Sequence, residues 1–558
     1  MRPVGDVPSR DRPTRLRMAG FAASAVSAAS AYGAGALPSG GSVASTGHDG
    51  WGYWLGLAGW FVGLAALAGV WWRLGVRVRR RPESVPVGWL LRTGLLWAAP
   101  LLVAPPTGSR DAYAYACQGA LWLDGTDPYA VGVLPGGCVW SDAVPALWRD
   151  TPTPYGPLAV ALAGAAVAVA RLLTASTDGQ LLIAVALLRA EALAGVVLVA
   201  GCLPRLARAG GVDPARAVWL GLVSPLVLIH AVSGAHNDAL VLGLVLAALA
   251  VAAGGPPDRP AAPGTGRVGR FRGQLPAGIR TGRAAAVTGA LLGLAVAIKV
   301  TAIVALPFAL LLNSVRSPAG RHPAPSGPTH PPDVPPEGAD EPGSGRISRI
   351  PYLNPAVVKS ALGGLVAAGL TFAGVTLATG LDLGWIGALS GTGRLVQWTS
   401  VPTGLGMAAG YLLRLAGRPE AVDGAVAAAR LLGLVALAGT IAFLLLRALR
   451  AVPAADRTGT RRRLVTLTGV AFTALALLSP IFYPWYGLTA VTVLAAGLSE
   501  HRWVRRVAVL VIALSFLVLP TGLGLAVLTK LPGALVDVAL VAVLAVLAYR
   551  RRRSRGRG

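Results

Sequence analysis

Cysteine, lysine and acid are scarce in this chain. Three cysteines among 558 residues exclude a multi-bridge disulfide framework and a cysteine-based zinc site. Charged residues make up only 13% of the chain, against about 25% in ordinary soluble domains, so a water-soluble globule is a poor fit. No activated serine or cysteine beside a base stands out, which removes the common nucleophile motifs. His236-Asn237-Asp238 and the DGTD at 124–127 match metal-ligand clustering poorly, so neither a metal nor another cofactor is expected. Nor is there an internal repeat of the kind that marks many secondary transporters.

Apolar residues are what the chain has in abundance, at 54% with a mean hydropathy of +0.62. Apolar stretches near 20 residues recur from end to end, each long enough for a bilayer core of roughly 30 Å. The fold class is therefore all-α, a polytopic membrane protein. The net charge of +26 suggests nucleic acid at first, but the arginines sit in short links between apolar runs. That is the positive-inside pattern, and membrane lipid headgroups rather than nucleic acid are its natural partner.

Charge also orients the chain. Residues 1–17 carry five arginines and read as a cytoplasmic tail. Span 18–37, read as an uncleaved first span rather than a signal peptide, leads out. Span 51–72 returns to the basic RLGVRVRRRPES, and 88–106 leads out again. Residues 107–180 then form a long outer loop. Keeping the basic link 204–216 inside requires that 156–173 not cross, and the same parity makes 403–417 a second non-crossing helix. Segment 284–313 reads as a hairpin with Lys299 at its outer tip. The Pro- and Gly-rich links 255–283 and 314–354 both read as disordered cytoplasmic links. Further spans at 181–203, 217–233, 239–254, 356–379, 425–446, 464–480, 485–499, 507–522 and 532–549 lead to a basic tail, 550–558. This amounts to one transmembrane domain, 18–549, with roughly fourteen crossings and both termini inside.

The outer side then collects groups of unlike chemistry: Arg110, Asp111, Asp124 and Asp127, the DTPTPYGP containing Tyr155, His236-Asn237-Asp238, Lys299, Trp385, Arg394, Gln397, Trp398, and PIFYPWYG. Each has a plainer explanation. Asp111 suits a helix start or a pair with Arg110, Asp127 before Pro128 suits a turn, and the aromatics suit an interfacial belt. The 236–238 triplet suits a solvated span end, and Lys299 can snorkel. Against that, an ionisable group inside an apolar run is costly enough to be functional by default. One acid near the membrane surface with cations deeper in suits deprotonation of a hydroxyl and stabilisation of a leaving phosphate.

SRDAYAYACQGALWLDGTDPYAVG, TPTPYGPL, SPLVLIHAVSGAHNDALVLGL and GLAVAIKVTAIVALPF, in that order, resemble the actinobacterial polyprenol-phosphate-mannose-dependent α-(1→6)-mannosyltransferases. These are membrane-embedded glycosyltransferases of the GT-C class. The resemblance spans roughly residues 88–500. It implies a polyprenyl-phosphate mannose donor, a mannan or lipid-linked glycan acceptor, an extracytoplasmic active site at the cell membrane and a metal-independent inverting mechanism. It also implies a catalytic acid in the first large outer loop, which in this sequence is Asp111, and a non-crossing helix within that loop. Position then places Lys299 and Arg394 near the lipid phosphate. By the same inference Arg110, Asp127, Tyr155, His236, Asn237 and Asp238 are candidates for substrate contact. Another polyprenyl-linked sugar, arabinofuranose or glucose, and a non-catalytic lipid or glycan transporter stay open as alternatives. So does the state of Cys117 and Cys138, a disulfide or two thiols, whereas Cys202 is expected to be reduced.

Overall fold

The computed structural model describes residues 11–37, 50–254, 277–315, 355–391 and 395–555. The link at 255–276, most of that at 314–354, and Arg394 lie outside the described residues. The first half contains α1 (Asp11–Gly33), α2 (Trp51–Arg80), α3 (Val87–Val103), α4 (Asp111–Leu123), α5 (Ala146–Arg149), α6 (Pro157–Leu173), α7 (Thr177–Ala209), α8 (Pro214–Gly221), α9 (Pro225–Val227) and α10 (Asp238–Ala253). After it come α11 (Ala277–Ile298), α12 (Ala305–Ser314), α13 (Pro355–Thr379), α14 (Gly384–Gly391), α15 (Val401–Leu415) and α16 (Val422–Ala451). The chain finishes with α17 (Arg457–Leu478), α18 (Gly487–Gly497), α19 (His501–Ser515), α20 (Leu525–Leu528) and α21 (Lys530–Arg555). No strand is present among the described residues, so the all-α expectation holds.

Among the described residues six helices are long and apolar enough to cross a bilayer, namely α2, α7, α11, α13, α16 and α21. The pair made by α8 and the segment 225–233, bent by 46°, is a seventh if taken as one span. The protein is thus a multi-pass membrane protein, but roughly fourteen crossings are not reproduced by this measure. Several expected spans are interrupted. The run 217–233 breaks at Ser224-Pro225, where proline removes a ladder donor, and ends in a π-helical turn, Leu228–Ser233. Within 485–499 the helix covers only 11 residues, about 16 Å, too short to span alone. In 507–522 it stops at Ser515, followed by a bend closed by an antiparallel bridge between Val518 and Gly524. Conversely α11 starts at Ala277, inside the expected link 255–283, and α21 runs to Arg555 through the expected tail.

The membrane core is centred on Trp71 of α2 and Trp219 of α8, stacked at 4.7 Å. Each indole N–H donates to the other's carbonyl at 3.0 Å, so the two polar handles are satisfied inside an apolar interior. Close approach of α7 and α10 depends on Gly195 and Gly243, where a Cβ would collide with the opposite backbone. Gly119 of α4 meets the backbone of α6 in the same way. This second contact belongs to a separate small core, built from Tyr113, Tyr115, Trp140, Val144 and Val167 of the segment 107–180 and Leu188 of α7. A Cys117–Cys138 disulfide staples it, closing one of the alternatives open from the sequence, while Cys202 is free. The segment is docked by Gly156 N–H, which donates to Ile298 O at the end of α11. Thus the loop carrying Asp111 is a packed unit seated on the span bundle.

Candidate active site

A cavity of about 510 Å³ lies where that unit meets the bundle. Five separate stretches of the sequence deliver its polar end. The chain turns into α4 with Ser109 Oγ accepting from Asp111 N–H at 2.9 Å, which sets the carboxylate in the first turn of the helix. Tyr155 comes from the TPTPYGP segment, Asp238 from the first turn of α10, and Lys299 from the extended residue that separates α11 from a 3₁₀ turn, Val300–Val304. Tyr483, Trp485 and Tyr486 arrive from the stretch before α18. The other wall is apolar, with Leu389 of α14, Leu434 of α16, and Phe472 and Leu475 of α17.

Lys299 is buried, and its Nζ lies 2.9 and 2.8 Å from the two carboxylate oxygens of Asp238. It also stands over the Tyr486 ring at 4.3 Å and the Tyr155 ring at 5.8 Å, a cation–π setting. Opposite charges in an apolar chain have found each other, as the cost of burying either alone requires. Asp238 thus pairs with Lys299 and also lines the cavity.

Asp111 keeps 13% of its side chain exposed, and that side chain lines the cavity. Burial pushes its carboxyl up to about 6. The Ser109 hydrogen bond and the Lys299 charge pull it back, and the Asp238 charge adds to the rise. Its Oδ2 is 3.5 Å from His236 Nδ1. The His236 ring is fully buried and stacked on Trp485, with centroids 4.2 Å apart. Burial, then the neighbouring His230 and Lys299, push its pKa well down, so it is neutral at physiological pH. Next to them Tyr115 donates to Asn237 Oδ1 at 3.4 Å and meets Tyr155 edge to face at 5.2 Å.

Of the sequence candidates, Asp111, Tyr155, Asp238 and Lys299 line the cavity, with His236 and Asn237 one layer behind. Arg110 and Asp127 do not line it. Arg110 donates to the carbonyls of Gly35 and Leu37, each at 3.1 Å, and so ties down the stretch that follows α1. Asp127 Oδ1 accepts from Tyr129 N–H at 2.8 Å, which is turn chemistry. Tyr115, Tyr483, Trp485 and Tyr486 also line the cavity; the sequence showed them as aromatic density at the outer ends of spans, which does not separate a belt from a sugar platform. Gln118 and Trp148 line it too, and the sequence did not single them out. Among the described residues no group of three or more His, Cys, Asp or Glu side chains is arranged to hold a metal ion.

The geometry joins a carboxylate of raised pKa and a buried ammonium to a cluster of rings, and opens along apolar helices. Comparison with known proteins agrees in sequence. The family model described as alpha-(1->6)-mannopyranosyltransferase, N-terminal domain, matches residues 17–314, and that of the MptB C-terminal domain matches 402–550. An alpha-(1->6)-mannopyranosyltransferase of Mycobacterium tuberculosis is 32% identical over 72% of this chain and 64% of its own length. A second from that organism, alpha-(1->6)-mannopyranosyltransferase A, is 30% identical over 88% of this chain and 81% of its own. The Corynebacterium glutamicum alpha-(1->6)-mannopyranosyltransferase B is 27% identical over 80% and 65%. The chain thus spans just under two thirds of the first and third of these relatives. No solved structure matches. With a matching family model over more than half of its length, this chain belongs to the alpha-(1->6)-mannopyranosyltransferase family.

Proposed function

We propose that this protein transfers mannose from polyprenyl-phosphate-β-mannose to a hydroxyl of a growing α-(1→6)-mannan or lipid-linked glycan. The reaction takes place on the extracytoplasmic face of the cell membrane, with both termini cytoplasmic. The relatives' names support the sugar and the linkage. One observation supports a lipid-linked donor: a single cavity runs from Asp111 and Lys299 to apolar side chains that include Leu434 of the spanning helix α16, so it suits a molecule with a polar head and a prenyl tail.

In this reading the acceptor hydroxyl gives its proton to the Asp111 carboxylate as its oxygen bonds to the anomeric carbon. The carbon–phosphate-oxygen bond breaks on the opposite face, and the electron pair leaves with the phosphate. A β-linked donor therefore gives an α-linked product. Phosphate needs no paired general acid, unlike the sugar leaving group in glycoside hydrolysis. An ammonium carries three N–H donors. Asp238 takes two from Lys299, which fixes its position while leaving one for the departing phosphate. Tyr155 and Tyr486, around the same ammonium, offer ring faces and hydroxyls to the sugar.

The test uses membranes holding the full chain, radiolabelled polyprenyl-phosphate mannose and an α-mannoside acceptor. Wild type is expected to transfer label, and Asp111→Asn, at equal expression, to lose turnover. Failure of the wild type with mannose but success with polyprenyl-linked arabinofuranose or glucose would reassign the donor. Full turnover by Asp111→Asn would remove the base from this residue.

A further inference from the structure

His236 is presented by an unusual stretch of backbone. The preceding helix widens into the π-helical turn Leu228–Ser233, an insertion that recurs at functional sites. Ala235 then adopts φ +52, a left-handed conformation that a residue with a Cβ avoids without cause. The ring that follows has no exposed surface and is clamped on Trp485. Neither ring nitrogen has a hydrogen-bond partner, and Nδ1 faces Asp111 Oδ2 at 3.5 Å. An apolar ring would fill this space without burying two polar nitrogens, so filling is an inadequate reason for a histidine.

We infer that His236 is a positioning residue for the base: its Nδ1–H holds Asp111 Oδ2, leaving Oδ1 to face the acceptor hydroxyl. The inference rests on the reading of Asp111 as base given above, and it moves His236 from the sugar to the carboxylate. A distance of 3.5 Å is long for a hydrogen bond, and catalytic contacts of this kind tighten once substrate closes the site. The histidine is neutral throughout. It donates a hydrogen bond, accepts no proton, and leaves the transferred proton on Asp111. Holding Oδ2 also favours the ionised carboxylate, since a donor aimed at the charged form stabilises it.

Other groups act on Asp111 as well: Ser109 beside it, Tyr115 on its own helix, Tyr155, Asp238 at the start of α10, Lys299, and Tyr483 and Tyr486 before α18. All are unchanged in the variants that follow, as is His230 behind His236. His236→Phe keeps a ring against Trp485 and removes the donor. His236→Asn puts an amide N–H at the place of Nδ1, and His236→Gln puts one at the place of Nε2. With the purified full-length protein, kcat and donor KM are measured between about pH 5 and 8.5, a range that brackets the acid limb. His236→Phe and His236→Gln are expected to lower kcat roughly 10- to 100-fold, as misaligned catalytic groups do, with donor KM within about twofold. Their acid limb is expected to move up by about one pH unit, and His236→Asn is expected to restore most of the rate and the limb. If His236→Phe does not accumulate, His236→Gln against His236→Asn makes the same comparison. Wild-type kcat and limb in either donorless variant, or a His236→Asn as slow as His236→Gln, would overturn the inference. Asp111→Asn separates the two levels: its activity would sink the base itself, whereas its inactivity beside an unaffected His236→Phe sinks only the role of His236.

Discussion

Burial that lifts the Asp111 carboxyl from 3.8 to about 6 acts on turnover and on stability in opposite directions. As the proposed base Asp111 would act in its ionised form, so activity is expected to be full well above pH 6 and to fall as pH drops through about 6. Stability has the other sign. The unfolded chain ionises near 3.8 while the folded one holds its proton to about 6, so raising pH across that window costs the fold up to roughly 3 kcal/mol. Asp111→Asn removes the penalty. It is expected to melt higher than wild type at pH 8, with the gain vanishing near pH 4, while transferring no sugar; a lower melting temperature at pH 8 would contradict this. At Lys299 the logic is pairing. Lys299→Met strands a buried Asp238 and is expected to cost about 3–5 kcal/mol, whereas Lys299→Met with Asp238→Leu recovers most of that without recovering activity. A double-mutant cycle on melting temperature checks it, and additive losses would deny the coupling. Asp111, Asp238 and Lys299 were legible in the sequence because charge in apolar surroundings announces itself. The role of Arg110 was not, since neighbouring residues at a helix start point in different directions, and its carbonyl partners lie more than seventy positions away.

Elements decide how rigidly the base is held. Helix α4 is braced by α6 through Gly119, by the disulfide to Cys138, and by Arg171, which grips Asp124 at its far end with bonds of 2.7 and 2.9 Å. The disulfide closes a loop with a sequence separation of 21, for which loop-closure arithmetic suggests about 3 kcal/mol. Cys117→Ala with Cys138→Ala is therefore expected to lower the melting temperature and to loosen the outer unit before the spans. Limited proteolysis within 107–180 would register that loosening, and unreduced peptide mapping should recover 117 joined to 138 with Cys202 free to alkylate. Unchanged protease resistance would show that the small core holds without its staple. Pairing was not legible from spacing, because a disulfide depends on Cβ separation that only the fold sets. The expected span boundaries were legible where an apolar run is unbroken, as in α7 and α16. They failed at Ser224-Pro225 and after Ser515, where hydropathy stays high while the backbone bends.

Taken as a whole, the molecule sets a small stapled core on a span bundle and leaves the cavity between them. A wall of that cavity is shared with the spans. Leu434 on the spanning helix α16 and Leu389 on the short helix α14 both line it and are exposed, so the cavity reaches the apolar surface of the protein beside α16. If a prenyl chain enters there, its affinity comes from apolar contact along this wall, and it rises with chain length until the wall is covered. Leu434→Trp narrows the entrance from a side chain that is 43% exposed, so the change adds little strain to the interior. Donor KM for a long-chain polyprenyl-phosphate mannose is expected to rise roughly tenfold, equivalent to about 1.4 kcal/mol of lost binding. If only the far part of the tail meets α16, a donor of two isoprene units should keep its wild-type KM, and kcat at saturation should change little for either, because Asp111 and Lys299 are untouched. Steady-state kinetics with the paired donors reads the difference. Equal increases for both would place the perturbation at the sugar rather than the tail, and no increase for either would move the lipid entrance elsewhere.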